Sequence, residues 1–271
     1  MIHKFVCSFF LFISFFLQPV VHAAGEPEMI ILNADDPFAS NIPAIATQSF
    51  TGNDPNAACA YFELLLKAKS TAITLGANVV KINKHIPRSR NQSCDEINVS
   101  FYRADNIRSY EKRFSWTEDR KLVWDDFKGE IPGRATQKTA AETSCGIAIE
   151  TNTVRGNNPV RIYAFNTFVT DASWVRPEHM TAAILKHEQG HFDICELYTR
   201  KMRERFSTAK LDFNNMQQLI RDIYNAVMTD YAKRQQEYET ATQHGTVDEA
   251  QAKWNEQIAK ELAASDSWKS T

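Results

Sequence analysis

His187, Glu188 and His191 stand in the order His-Glu-x-x-His. Residues four apart on an α-helix lie one turn apart on the same face, so both imidazoles can reach one ion. Zinc takes nitrogen ligands in tetrahedral geometry, and a catalytic site keeps one position for water. Glu188, beside the first ligand, is placed to take a proton from that water as general base, while the metal lowers the water's pKa and polarises a carbonyl. The pattern predicts a zinc-dependent hydrolase with a protein or peptide substrate, most simply a metalloprotease. Its rival is a helix with two unrelated surface histidines. Gly190, inside the motif, lowers helix propensity by about 1 kcal/mol relative to Ala. A glycine there makes sense if something packs closely against that turn.

A third ligand can be sought by elimination. Once an N-terminal signal is set aside, the remaining histidines are His85, His179, His187, His191 and His244. His179 falls two helical turns before His187, about 12 Å along the axis and too far to share an ion. His85 belongs to an N-terminal module. His244 follows a second long helix, directly before Gly245, and a helix packed antiparallel to the first would present it to the site. Glu239 is the carboxylate rival, either as a ligand or as the partner that orients a ligand imidazole. Glu196 points about 140° away from His191. His244 is favoured over Glu239, giving His187, His191 and His244 as the metal set. Tyr231 and Tyr238 are donors for a developing oxyanion or, more ordinarily, packing residues. Cys195, one turn after His191, reads as a disulfide or core thiol rather than a ligand. Trp124, Trp174 and Trp254 read as core anchors.

These side chains need a scaffold. The chain has 271 residues, 43% hydrophobic and 24% charged, which suits a globular protein rather than a disordered one. A net charge of -2 gives no electrostatic case for nucleic acid or a polybasic membrane anchor. Residues 1–23 read as a secretory signal peptide: Lys4, an apolar run from Phe5 to Leu17, then Val21 and Ala23 before a cleavage point. An uncleaved anchor is the rival. No later segment is apolar enough to span a bilayer, so a periplasmic or secreted protein is expected. Cys59, Cys94, Cys145 and Cys195 then permit two disulfides, with the chain-order pairing Cys59–Cys94 and Cys145–Cys195 as the simplest.

Helical spacing of Ala60, Leu64, Leu65, Ala68 and Ala72 before Gly76 predicts a helix over 57–75. Strands are expected at Met29 to Leu32, Asn78 to Ile82 and Ile97 to Tyr102, with a loop over 84–93. This makes a small β-α-β-β module over 27–105. Charged residues 103–113 read as a linker. Strands at Gly146 to Thr151 and Val160 to Val169 flank a turn at Asn157-Asn158-Pro159. The second of them takes the place of the substrate-binding edge strand that zincin-type proteases require. Pro177 opens the motif helix, whose buried stripe includes Met180, Ile184 and Leu185. Further helices cover about 213–242 and 248–262.

Several elements occur in a fixed order: Trp124-Asp125-Asp126-Phe127-Lys128-Gly129, Ser173-Trp174-Val175, Leu185 to Ile194 around the motif, and Tyr238 to Gly245, with Gln251 and Trp254 after them. Over about residues 113–262 this resembles a bacterial family of predicted secreted zinc-dependent proteases, a domain of unknown function placed near zincins. The resemblance implies an α+β, zincin-like catalytic domain over 110–265, with His187 and His191 on zinc and Glu188 as base. It also places the segment around His244 in the site. One departure is Glu239, where the family pattern has Asp. A different reading stays open, in which a non-catalytic envelope binding or assembly protein retains the fold.

Overall fold

Short apolar side chains at helical spacing and branched ones at strand spacing meet in the N-terminal half. A computed structural model describes residues 28–39, 41–52, 59–89, 92, 94–136, 139–152, 160–212 and 214–269. The expected signal peptide, the first residue of the module and the turn at Asn157-Asn158-Pro159 lie outside the described residues.

In chain order the N-terminal elements are β1 (Ile30–Leu32), β2 (Ala46–Thr51), α1 (Tyr61–Leu75), β3 (Val79–Ile86) and β4 (Glu96–Tyr102). They form a sheet in the order β1-β3-β4-β2, with β1 parallel to β3 and the other pairs antiparallel. Leu64, Ala68 and Ala72 of α1 pack on Val80, Ile82, Ile97, Val99 and Phe101. Gly76 ends the helix in the left-handed region at φ 65°, which a residue with a Cβ adopts at a cost. Strand β3 runs on to Ile86, into part of the segment expected as a loop. β2 was not foreseen. It is an edge strand whose Ala46 and Phe50 are only half-buried, so its sequence lacks the apolar alternation that marks a strand.

The C-terminal half is built from β5 (Arg113–Phe114), β6 (Ala141–Glu142), β7 (Cys145–Asn152), β8 (Arg161–Val169), β9 (Trp174–Val175), α2 (Ala182–Thr208), α3 (Met216–Thr242) and α4 (Asp248–Ala264). The main sheet has the order β5-β8-β7 and is antiparallel; β6 and β9 pair separately. The strand at Arg161–Val169 is therefore central, and among the described residues β7 is an edge strand of this sheet. The expected linker is not one. Ile107 is buried with Ile30, Leu32 and Val79, and Arg113 and Phe114 form β5.

Pro177 lies in a separate 3₁₀ turn, Pro177–His179, and α2 begins after Thr181, whose hydroxyl caps the amide of Ile184. His179 is thus not on the motif helix, and Met180 is exposed at 46% rather than part of the buried stripe. One apolar core joins Phe168, Ala164 and Ile147 of the sheet to Phe192, Ile194 and Met202 of α2, Val227 and Tyr238 of α3, and Ile258 of α4. His191 meets Gln235 and Arg205 meets Asp230, so α2 and α3 run antiparallel.

The two sheets are tied through Glu63. It accepts from Arg161 and Tyr163 of β8 and from the amides of Cys59 and Ala60. The result is an α+β fold with an N-terminal β/α/β region. Among the described residues, no helix is long and apolar enough to cross a membrane.

Candidate metal centre

The turn of α2 between His187 and His191 lies against α3 and α4. The two Nε2 atoms are 3.1 Å apart. Glu239 of α3 brings Oε1 to 3.2 Å from His191 Nε2 and Oε2 to 3.5 Å from His187 Nε2. One ligand atom from each of these three residues lies within 4.8 Å of the others.

Each imidazole is held from behind. His187 Nδ1 is 3.1 Å from Gln251 Oε1 of α4, and His191 Nδ1 is 2.7 Å from Gln235 Oε1 of α3. Gln251 Nε2 donates to Tyr238 Oη and Asn255 Oδ1, and Gln235 Nε2 donates to the carbonyl of His191. Tyr238 stacks on the His187 ring and donates to the His187 carbonyl at 3.0 Å.

Two glycines permit these approaches. A Cβ on Gly190 would fall 2.2 Å from Tyr238 Oη, and one on Gly245 would fall 2.8 Å from His187 Cβ. The sequence argument that something packs on the Gly190 turn holds, and that something is Tyr238.

Electrostatics favour a cation here. Burial opposes ionisation of Glu239, but the two imidazoles outweigh it and hold its carboxyl far below the usual carboxylate range. Burial likewise opposes a charged His191, yet the hydrogen bond to Glu239 and the nearby Glu188 charge raise its pKa to about 9. Glu188 is 4% exposed. Its Oε2 is buried with no hydrogen-bond partner among the described residues. Buried carboxylate oxygens are seldom left unpaired. Two imidazole nitrogens, one carboxylate and further orphaned carboxylate oxygen suit a divalent ion with a position left for water.

His244 falls outside the compact group. Gln243, His244 and Gly245 all have positive φ (48°, 59° and 77°), which turns the chain out of α3. The His244 side chain is 79% exposed, with Nδ1 2.7 Å from Glu239 Oε2, the oxygen that also faces His187. The order of preference between His244 and Glu239 drawn from the sequence is thus reversed by the geometry. His85 pairs with Asp95 in the N-terminal sheet. Glu196 binds Arg200 and Arg203, as its direction on α2 requires.

The hydroxyls of both tyrosines already have partners. Tyr238 is wholly buried under α2, and Tyr231 Oη lies 3.6 Å from Cys145 Sγ; burial pushes both phenols up. Cys59 and Cys94 form a disulfide. Cys145 and Cys195 are free thiols, against the second pairing expected. The two thiols are hydrogen-bonded to each other rather than bridged, and Cys145 Sγ also meets Tyr231 and the His191 carbonyl.

The remaining ordered motifs brace the site. Asp126 binds Arg120 and caps the Val123 amide. Lys128 Nζ donates to the carbonyls of Arg108 and Glu111. A Cβ on Gly129 would lie 2.7 Å from the Asp171 carbonyl oxygen. Ser173 links Ser144 to Val169 beside β7. Gln235 escaped the sequence reading. Its only signal was its place one turn before Glu239 on the same helix face.

Comparison with known proteins adds one relationship. No curated protein and no solved structure matches the chain. Residues 167–245 match the family model described as a bacterial protein of unknown function (DUF922), a stretch that takes in His187, Glu188, His191, Gln235, Glu239 and His244 but ends before Gln251.

Proposed function

We propose that this chain is an exported, zinc-dependent hydrolase of peptide bonds, a metalloprotease with a zincin-like catalytic domain over 110–265 preceded by an accessory module over 27–105. The observation that carries this reading is the convergence of His187 Nε2, His191 Nε2 and Glu239 on one point, with the unpaired carboxylate of Glu188 on the same turn. A purely structural site needs ligands but no base.

In this reading His187, His191 and Glu239 hold the ion and Glu188 moves the proton. Zinc, when bound, supplies polarisation of the substrate carbonyl and a lowered pKa for the attacking water. Glu188 accepts the proton that water loses as its oxygen bonds to the carbonyl carbon. It then gives that proton to the amide nitrogen as the C–N bond breaks. The free edge of β7 supports an extended peptide as substrate. Cys145 at its start adjoins the His191 carbonyl. Main-chain groups on such an edge pair with an extended chain. The signal-like segment supports export to the periplasm or beyond.

The deciding experiment is metal analysis of the purified protein by mass spectrometry. About one zinc per chain, lost in His191→Ala and Glu239→Ala, is the expected result. No metal after zinc is supplied would overturn the enzyme reading.

A further inference from the structure

We infer that Gln235 and Gln251 are positioning residues that fix the tautomer of both motif histidines, so that α4 is part of the metal centre although it lies outside the matched family stretch. The inference rests on the metal reading above for its purpose, but its physical content is separate.

Amide oxygen and nitrogen look alike, so the argument must come from partners of fixed polarity. The His191 carbonyl can only accept. The Gln235 group 3.1 Å from it is therefore the NH₂, which leaves Oε1 facing His191 Nδ1 at 2.7 Å. The His187 carbonyl can only accept as well, so the Tyr238 hydroxyl donates its one proton there. Tyr238 Oη must then accept from Gln251, whose NH₂ lies 2.7 Å away, and Gln251 Oε1 is left facing His187 Nδ1 at 3.1 Å. Thr242 gives the same answer. Its hydroxyl proton is used on the Tyr238 carbonyl, so the oxygen beside His187 Nδ1 is an acceptor too.

Every group behind the two rings is thus an acceptor, and both Nδ1 atoms carry the proton. The front of each ring faces Glu239, 3.2 Å from His191 Nε2 and 3.5 Å from His187 Nε2, so a proton on Nε2 serves that carboxylate and is the one an arriving cation displaces. A neutral imidazole ligates through the nitrogen without the proton, and the hydrogen bond on the other nitrogen decides which one that is. The Gln251–Tyr238–His187 chain also ties the ring to its own backbone, because the amide that holds Nδ1 is itself held through Tyr238 to the His187 carbonyl.

The test combines ring-nitrogen NMR with zinc affinity measured by competition against a chromophoric chelator. In the wild type, with or without zinc, His187 and His191 are each expected to carry a proton on Nδ1. Gln235→Ala and Gln251→Ala are expected to weaken zinc binding about 10–100-fold each. Gln251→Glu keeps the acceptor but loses both donors, so it should bind zinc more tightly than Gln251→Ala. A merely structural role for the amide predicts that the two substitutions are equally harmful. The proposal is overturned by rings that carry no proton on Nδ1, by alanine variants with wild-type affinity, or by Gln251→Glu falling as far as Gln251→Ala. If the wild type binds no zinc, the metal reading fails, and the ring signals alone still decide this one.

Discussion

The Tyr238 hydroxyl donates to the His187 carbonyl at 3.0 Å, directly beneath the turn that carries Gly190. A candidate ligand, the glycine between the two motif histidines and a helix from later in the chain are thus locked in one contact. Gly190→Ala should gain about 1 kcal/mol of helix propensity. It should lose more, because Tyr238 is fully buried and cannot retreat from a Cβ placed 2.2 Å from its hydroxyl. Overpacking of this kind costs about 1–3 kcal/mol. Denaturant unfolding should show net destabilisation, and zinc affinity should fall with it. A Gly190→Ala protein of raised stability and unchanged metal content would show that the contact is not tight.

Glu239 and His244 separate cleanly by substitution. Glu239→Ala removes a carboxylate that contacts both Nε2 atoms. It should weaken zinc binding by more than the roughly 10–100-fold of an orienting residue. His244→Ala removes an exposed ring that touches only Glu239 among the three, and metal content should stay near that of the wild type. The measurement is zinc stoichiometry after dialysis against a weak chelator. Zinc lost in His244→Ala and kept in Glu239→Ala would restore the histidine set.

That reversal marks where the sequence stops being informative. His187 and His191 were legible because helical geometry is local: four residues apart means one face. The choice of Glu239 over His244 and the contact made by Gln251 were not, because which face of α3 and α4 meets α2 depends on how three helices share one core. The same limit applies to β2, whose edge position leaves no apolar alternation. It applies to β8 as well, whose place at the centre of its sheet is set by partners on both sides. Gly190 was the exception. Its cost to the helix pointed to a close contact before the contact was known.

Glu63 sets a pH dependence that does not involve the metal group. Burial works against its charge, but Arg161, Tyr163 and the amides of Ala60 and Cys59 outweigh it and lower its pKa from 4.5 to about 2. A folded-state pKa below the unfolded one stabilises the fold at higher pH. The contribution is full above 4.5 and is lost as pH falls through about 2. Its size is on the order of 3 kcal/mol. Stability measured from neutral pH down through this window should fall less steeply in Glu63→Gln than in the wild type, and the variant should be the less stable at neutral pH. Parallel acid limbs would assign the docking of the two sheets to other groups.

The Cys59–Cys94 disulfide closes a loop of sequence separation 35 far from the metal group. Replacing both cysteines with serine should cost about 2–4 kcal/mol in denaturant unfolding while leaving zinc content unchanged. Alkylation of the denatured, unreduced wild type should label Cys145 and Cys195 and spare the other two. Labelling of neither would mean that the second pair also closes in the exported protein.

The base can be tested without disturbing the ligands. Glu188→Gln preserves the shape of a buried side chain whose Oε2 has no partner, while removing its ability to take a proton. Zinc stoichiometry should therefore match the wild type. Peptide hydrolysis should drop about 10²–10⁴-fold, the range that a positioned general base contributes. The two readouts together discriminate among the outcomes. Zinc retained with cleavage lost places Glu188 in the proton transfer. Zinc lost would mean that its carboxylate helps to hold the ion. Zinc and biological function both retained, with no cleavage by either protein, would favour a binding protein that keeps the site for its structure.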